Sequence, residues 1–208
     1  MIFVPSRGRR PMLEAFFRNN KPVMAGRVLL DNDDEAHYEG MDLPHNWSFF
    51  IRPRDTMVKI LNRAFEAFPD ERFYALAGDD MTYTSKWDTT LSDAASFKYL
   101  AWGDDGRWGP KLCPSFFIGG DLVRHIGWLA HPDFGHLYTD TVWWMIAKAA
   151  GLARYRPDVR YTHPKILDQT FRERAISGDK ESFDKLRGDG ISQLIEKAAE
   201  LGRIVHNA

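Results

Sequence analysis

The chain has 208 residues, a length that fits one domain, or one domain with a tail, rather than two full-sized domains. Hydrophobic residues make up 44% and charged residues 27%, which excludes intrinsic disorder as the main state. The formal net charge of −1 excludes an overall positive field that would drive non-specific binding to nucleic acid or to anionic membranes.

The first half of the chain alternates short apolar runs with helical patterns. Apolar, β-prone runs predict strands at residues 2–5, 27–35, 47–54 and 72–80. Apolar residues at helical spacing predict helices at 11–19, where Pro11 suits a first turn, and at 56–68, where Asp55 or Thr56 is the expected N-cap. Strands that alternate with helices indicate an α/β fold, with a mixed, mostly parallel Rossmann-like sheet flanked by helices.

The second half is less regular. Strands are predicted at 99–107, 112–120 and 159–164, and helices at 121–129, 140–151 and 191–201. We expect Asp140 to be an N-cap and Gly151 to end that helix. Gly178, Gly188 and Gly190 interrupt the pattern, so residues 171–208 are predicted to form a mobile loop, able to close over a ligand, and a covering helix next to a main domain at 1–170.

The cysteine content and the apolar runs bear on the compartment. The single cysteine, Cys113, excludes an intramolecular disulfide and a cysteine-rich zinc site, which indicates a reducing compartment, so we expect a cytoplasmic protein. Cys113 lies in an apolar, strand-like run and is predicted to be a buried packing residue. The few apolar residues before Arg7 do not resemble a signal peptide, and no apolar run is long enough for membrane insertion.

Polar side chains follow three of the predicted strands. In parallel sheets the carboxyl ends of the strands meet at one edge, and ligands bind there. We therefore expect these side chains to converge on one site. They are Ser6, Arg7 and Arg9 after the first strand, Asp31, Asp33 and Asp34 after the second, and Asp79 and Asp80 after the fourth.

The adjacent carboxylates Asp79 and Asp80 are the most specific of these features. Like charges at such short range raise each other's pKa, and a divalent cation would relieve the repulsion. Oxygen ligands favour Mg²⁺ or Mn²⁺, which could in turn hold a diphosphate, and His163 at the end of a predicted strand could complete the site. The alternatives are a solvated Asp-Asp turn and an ordinary surface or core histidine.

The loop from Arg7 to Arg10 suits phosphate or nucleotide binding, because it lies at a predicted strand-to-helix junction. A solvated basic loop is the alternative. The glycine spacing around residues 7–10 is not that of a Rossmann fingerprint, and the sequence contains no P-loop motif. Nicotinamide dehydrogenases and P-loop kinases are therefore disfavoured.

Two longer segments carry a family resemblance. The segments FYALAGDDMTYTSKWDTTL at 73–91 and IGWLAHPDFGHLYTDTVWWMIAKAAGLARYRPDVRYTHP at 126–164 resemble nucleotide-sugar glycosyltransferases of the GT-A fold, in the form found in small phage and bacterial members. The resemblance covers roughly residues 1–170. It implies a GT-A-like fold for that part of the chain.

The resemblance also implies roles for individual residues. Those expected to contact the nucleotide sugar are Pro5, Ser6 and Arg7 beside the nucleotide, Asp31 on the base, Arg54 and Asn62 in the same pocket, and Asp79 facing the ribose or a metal-bound water. Asp80 and His163 are the expected metal ligands. Asp140 matches the general base, and Asp121 is the reserve for that role.

The implied activity is an inverting transfer of a sugar from a nucleoside-diphosphate sugar, with a UDP-sugar expected, to an acceptor hydroxyl. The implied cofactor is Mn²⁺ or Mg²⁺. The expected acceptors are a hydroxymethylated DNA base, a protein or a glycan. A nucleotidyltransferase of similar fold and a non-catalytic nucleotide- or sugar-binding module are the alternatives.

Overall fold

The computed structural model describes residues 1–164 and 178–204. In those residues the strands are β1 (Ile2–Pro5), β2 (Gly26–Asp31), β3 (Trp47–Arg52), β4 (Phe73–Leu76), β5 (Thr82–Tyr83), β6 (Leu100–Asp104), β7 (Phe116–Gly119) and β8 (Ala153–Thr162). The α-helices are α1 (Arg10–Asn20), α2 (Met57–Ala67), α3 (Trp87–Ala95), α4 (Gly120–Ile126), α5 (Thr139–Ala149), α6 (Asp179–Leu186) and α7 (Asp189–Ile204). Short 3₁₀ helices lie at Glu35–Tyr38 and Gly109–Lys111.

The described strands form one sheet in the order β3-β2-β1-β4-β7-β6-β8-β5. The pairs β1–β2, β2–β3, β1–β4 and β6–β8 are parallel, whereas β4–β7, β6–β7 and β5–β8 are antiparallel. The predicted α/β fold with a mixed, mostly parallel sheet and flanking helices is confirmed. The antiparallel pairs all involve strands of the second half, where the sequence pattern is least regular.

The sheet is buried on both faces. Ile2 and Val4 of β1 pack into one apolar cluster, and Phe3 between them packs into the other. Side chains alternate across a strand, so a run that is apolar at every position fits a strand covered on both sides. This explains why the continuous apolar runs of the first half form strands at the positions that the sequence predicts.

The predicted helix ends are confirmed in part. Thr56 is the N-cap of α2, where its hydroxyl accepts a hydrogen bond from the Lys59 N–H. Asp140 is not the N-cap of α5, because the helix begins at Thr139 and the cap position falls on Tyr138. Asp140 lies in the first turn instead, and its carboxylate accepts a hydrogen bond from the neighbouring N–H of Thr141.

Three elements differ from the prediction or were not predicted. α3 and β5 were not predicted, because their short, mixed polar sequences give no clear period. The predicted mobile loop is wrong where the structure describes it, because α6 occupies most of 178–190 and its first residue, Asp179, is buried. The proposed domain boundary at 170 and 171 lies outside the described residues.

The C-terminal helix of the described residues packs on the apolar core. α7 packs against α4 and α5, and Ile191 and Ala198 join the main apolar cluster. Cys113 is buried, as predicted, and burial raises the pKa of its thiol, so it is not poised as a nucleophile. Among the helices in the described ranges, none combines the length and the apolar character needed to cross a bilayer.

Candidate functional site

A cavity of about 730 Å³ lies where β1, β2 and β4 end. One wall, here called the strand-end wall, lies at the ends of these strands and is formed by Pro5, Ser6, Arg7, Arg9, Asp31 and residues 77–81. Another, here called the loop wall, is formed by residues 135–140. The predicted site residues that line the cavity are Pro5, Ser6, Arg7, Asp31, Arg54, Asp79, Asp80, Asp140 and His163. The sheet therefore brings the strand ends together, as predicted.

Arg7 joins the ends of β1 and β2. Its Nη1 lies 2.7 Å from Asp31 Oδ2 and 2.7 Å from Asp33 Oδ1, and the hydrogen bond from Arg7 lowers the pKa of Asp33. The Gly8 N–H donates to Asp34 Oδ2 at 2.7 Å. The acids after β2 thus balance the charge of Arg7 and hold the backbone of the loop at Gly8. The role of this loop in nucleotide binding stays a prediction.

Arg9 joins the ends of β1 and β4. Its Nη1 lies 3.2 Å from Asp79 Oδ1 and 3.9 Å from Asp80 Oδ2. The Ser6 hydroxyl donates to Asp79 Oδ2 at 2.7 Å. Burial raises the pKa of Asp79, and the bonds from Ser6 and Arg9 oppose this rise. The repulsion between Asp79 and Asp80, for which the sequence predicts a metal, is therefore relieved in part by a buried guanidinium.

Asp80 and His163 meet across the sheet edge. Asp80 Oδ1 lies 3.6 Å from His163 Nε2, and the Asp80 side chain is 8% exposed against 33% for His163. A Cβ atom at Gly78 would lie 2.7 Å from Asp80 Oδ1, so a side chain there would push this carboxylate from its present position. Glycine at 78 thus leaves the Asp80 carboxylate uncrowded in this position.

The donor set of Asp80 and His163 fits a divalent cation with an open coordination shell. Carboxylate oxygen and imidazole nitrogen both suit Mn²⁺, and Mg²⁺ is commonly held by one or two protein groups together with phosphate oxygens and water. The described residues contain no cluster of three or more acidic, histidine or cysteine side chains that could hold a metal. The pair thus fits a cation that a bound ligand helps to hold.

Asp140 lies on the loop wall, at the first turn of α5. Its Oδ1 accepts hydrogen bonds from the Thr141 N–H at 2.7 Å and from the Thr141 hydroxyl at 3.2 Å. Burial raises the pKa of this carboxyl, which makes its carboxylate more basic than that of an ordinary aspartate. A basic carboxylate on a cavity wall is suited to accept a proton from a bound hydroxyl.

Two buried polar atoms have no hydrogen-bond partner in the described structure, and both belong to residues that line the cavity. They are Asp31 Oδ1 and Thr139 Oγ1, and the described residues contain no other buried side-chain nitrogen or oxygen in this state. An unsatisfied buried polar group costs roughly 1–3 kcal/mol, so such groups need a partner or a role. Both atoms are buried beneath the cavity surface, so these two lining residues leave hydrogen-bonding capacity unused beside the cavity.

Asn62 and Asp121 lie away from this cavity. The Asn62 amide donates to the carbonyl of Ala130 at 2.7 Å and accepts from the N–H of Leu129 at 2.9 Å, so it ties α2 to a loop. Asp121 pairs with Arg124 on α4 at 2.6 Å. We therefore leave both residues out of the proposed site, because their polar atoms serve the scaffold.

Two parts of the site were not predicted from the residue pattern. Tyr38 holds the loop after β1, because its hydroxyl bonds the Ser6 hydroxyl at 2.8 Å and accepts from the Arg9 N–H at 3.1 Å. Residues 135–138 of the loop wall have no regular period and give no signal of their own. Only the family resemblance, which spans this loop, points to the region.

No protein-family model matches this sequence, and no curated protein matches it. Among solved structures, the mannosyltransferase PcManGT from Pyrobaculum calidifontis, in complex with GDP-Man and Mn²⁺, is similar over 100% of this chain and 74% of its own. The identity is 12% and the TM-score 0.57. GalNAc-T7, with UDP, GalNAc and Mn²⁺, is similar over 80% of this chain and 44% of its own, at 10% identity and a TM-score of 0.58.

This chain therefore corresponds to less than half of the length of GalNAc-T7. At identities this low, the likeness shows the fold alone. The fold is that of GT-A-type glycosyltransferases, which confirms the fold that the sequence resemblance implied.

Proposed function

We propose that this chain is an inverting, metal-dependent glycosyltransferase that moves a sugar from a nucleoside-diphosphate sugar to an acceptor hydroxyl. The observation that carries the proposal is the cavity on which the polar side chains after β1, β2 and β4, the Asp80–His163 pair and Asp140 converge. The GT-A-type fold supports it, although a fold by itself hosts many activities.

The strand-end wall is the proposed nucleotide site. Asp31 lines the cavity and its Oδ2 is engaged by Arg7, and the proposed role of its carboxylate is to accept a hydrogen bond from a base with an N–H group. Uracil and guanine both carry a ring N–H, and UDP-sugars are the donors we expect. Pro5, Ser6 and Arg54 complete the wall around the nucleotide, and Asp79 faces the ribose.

Asp80 and His163 are the proposed holders of Mn²⁺ or Mg²⁺. A divalent cation bound there would supply positive charge to the departing diphosphate, whose negative charge grows as the glycosyl bond breaks. The chain itself orients this pair. Gly78 leaves the Asp80 carboxylate uncrowded beside the imidazole, and Arg9 balances the charge of the neighbouring Asp79.

Asp140 is the proposed general base. It would accept the proton of the acceptor hydroxyl as that oxygen attacks the anomeric carbon, and the nucleoside diphosphate would leave from the other face of the sugar. One displacement of this kind inverts the configuration and requires no covalent intermediate on the protein. The raised pKa of Asp140 suits this role, because a more basic carboxylate is the better proton acceptor.

The proposal is tested by the release of nucleoside diphosphate from a panel of UDP- and GDP-sugars with Mn²⁺. The acceptor arms are hydroxymethylated DNA, a protein and a glycan, the classes expected of the small phage and bacterial type. We expect release that requires the metal and is lost in Asp80→Asn. The control is Asp121→Asn, an acid outside the cavity, which should keep full activity.

Two results would contradict the proposal. Release of pyrophosphate from a nucleoside triphosphate would assign the chain to the nucleotidyltransferases. Binding of nucleotide or sugar without any turnover of the panel would make it a binding module. The melting temperatures of Asp80→Asn and Asp121→Asn are measured beside that of the wild type, so that a folding defect is not mistaken for a loss of activity.

A further inference from the structure

The loop wall contains strained backbone immediately before α5. Tyr138 has a φ of 66°, in the left-handed region that a residue with a Cβ atom rarely adopts. No described side chain caps the start of α5. Strained conformations of this kind persist only where the surroundings hold them in place. Something must therefore hold the loop in the conformation that puts Asp140 on the cavity.

Asp179 provides that hold from the C-terminal part of the chain. Its Oδ1 accepts from the Gly135 N–H at 2.6 Å, and its Oδ2 accepts from the N–H groups of His136 at 2.8 Å and Leu137 at 2.6 Å. The Asp179 residue is 2% exposed. A buried carboxylate that accepts at least three backbone N–H groups makes short, charge-assisted bonds and leaves the loop little freedom.

A second contact from the same helix reaches the strained residue itself. The ring of Phe183, one turn after Asp179 in α6, stacks on the ring of Tyr138 at 4.5 Å and 5°. On the other side, the Gly135 carbonyl accepts from the Val58 N–H of α2 at 3.2 Å. The loop is thus held between two helices, and α6 provides both the charge and the ring that restrain it.

We infer that Asp179 is a positioning residue for Asp140. Its carboxylate fixes residues 135–137, and this fixes the start of α5 and the place of the proposed base on the cavity wall. The inference rests on the proposed function, in which Asp140 accepts the acceptor's proton. The strand-end wall has its own hydrogen bonds and does not depend on Asp179, so loss of Asp179 affects turnover and spares nucleotide binding.

The test compares Asp179→Asn with Asp184→Asn, a change of the same kind in the same helix. Asp184 is exposed and pairs with Lys180 at 2.6 Å. The asparagine at 179 keeps the shape of the side chain but replaces one acceptor oxygen by an N–H₂ group. Three quantities are measured: hydrogen exchange of the amides at 135–137, affinity for UDP and GDP with Mn²⁺, and kcat with KM for the donor.

We expect faster exchange at 135–137 in Asp179→Asn and a kcat lower by about 10²-fold, because small misplacements of reacting groups have effects of that size. The affinity for the nucleoside diphosphate and the donor KM should stay near the wild-type values. Asp184→Asn should match the wild type in all three. Asp179→Glu, which keeps both oxygens, should recover part of the lost kcat.

Unchanged exchange at 135–137 in Asp179→Asn would overturn the inference, as would an affinity for nucleotide that falls in step with kcat. If Asp179→Asn does not fold, Phe183→Leu takes its place in the test. Loss of the ring stack should also speed exchange at 135–137 and lower kcat, but by less than is expected for loss of the Asp179 carboxylate. The exchange measurement needs no turnover. An inactive wild type would therefore count against the proposed function, whereas unchanged exchange counts against the role of Asp179.

Discussion

The strand-end wall and the loop wall of the cavity are held in different ways. In the strand-end wall the side chains follow paired strands, and the ion pairs Arg7–Asp31 and Arg9–Asp79 join one strand end to the next. The loop wall passes through the strained Tyr138 and depends on Asp179, which lies 42 to 44 residues later in the chain. The sheet thus builds the proposed binding surface, whereas contacts from α6, far along the chain, restrain the loop that carries the proposed base.

Replacing the base in the loop wall should have the largest effect. Asp140→Asn removes the proton acceptor and keeps the side-chain oxygen that bonds Thr141, so kcat should fall by about 10²–10⁴-fold. The affinity for UDP or GDP should stay within about twofold of the wild type, because the proposed nucleotide contacts lie on the strand-end wall. Steady-state kinetics and calorimetric titration measure the two quantities. A parallel loss of affinity would show that the loop wall also contributes to nucleotide binding.

The stability of the same variant shows whether it is folded and tests the raised pKa of Asp140. An aspartate in the unfolded chain ionises near a pH of about 3.9, whereas burial raises the pKa of Asp140 in the folded chain. As the pH rises from about 4 to 7, the unfolded wild-type chain loses the Asp140 proton before the folded chain does. The free energy of unfolding of the wild type should therefore fall relative to that of Asp140→Asn over this interval. Thermal unfolding at the two pH values measures it. A variant that loses stability relative to the wild type over this range would contradict the raised pKa.

A change to an ion pair in the strand-end wall should mainly lower the free energy of unfolding. Arg9→Met leaves Asp79 buried without its guanidinium partner, and breaking a buried pair in this way costs about 3–5 kcal/mol. Urea unfolding measures the free energy of unfolding. The matched control is Arg10→Met, which breaks a half-exposed pair with Glu14 and should cost about 1 kcal/mol or less.

The double variant Arg9→Met with Asp79→Asn sharpens this prediction. Removing both charges should recover much of the lost stability, because the more buried of the two carboxylates beside Arg9, and the one closer to it, is then neutral. If the double variant is as unstable as the single one, the loss comes from packing of the Arg9 side chain and not from the ion pair.

The strand-end wall could be predicted from the sequence because it follows from a rule of topology. Polar residues directly after apolar strands converge when those strands are parallel and adjacent, and β1, β2 and β4 are. The residue pattern alone therefore indicates Arg7, Asp31 and Asp79 as neighbours in one site. It does not predict that Arg9 pairs with Asp79, because which cation reaches which acid depends on side-chain placement.

The loop wall could not be predicted from local pattern. Residues 135–138 show no periodic spacing of apolar residues. Asp179 is buried because of hydrogen bonds to residues more than 40 positions earlier in the chain. Asp179 follows Gly178 in a charged stretch that resembles a solvated loop, so the sequence predicted mobility where the structure has α6. The role of Asp140 as a base was predicted only through the family resemblance, which covers this region.

Asp80 and His163 are proposed to hold a divalent cation together with the nucleotide leaving group. Calorimetric titration of UDP and GDP, with Mn²⁺ and with the metal chelated, measures whether they do so in the wild type, Asp80→Asn, His163→Gln and the control Asp121→Asn. We predict that Mn²⁺ tightens nucleotide binding about tenfold or more in the wild type and the control, and that this gain is lost in the other two variants. An equal gain from Mn²⁺ in Asp80→Asn and the wild type would show that Asp80 does not hold the cation.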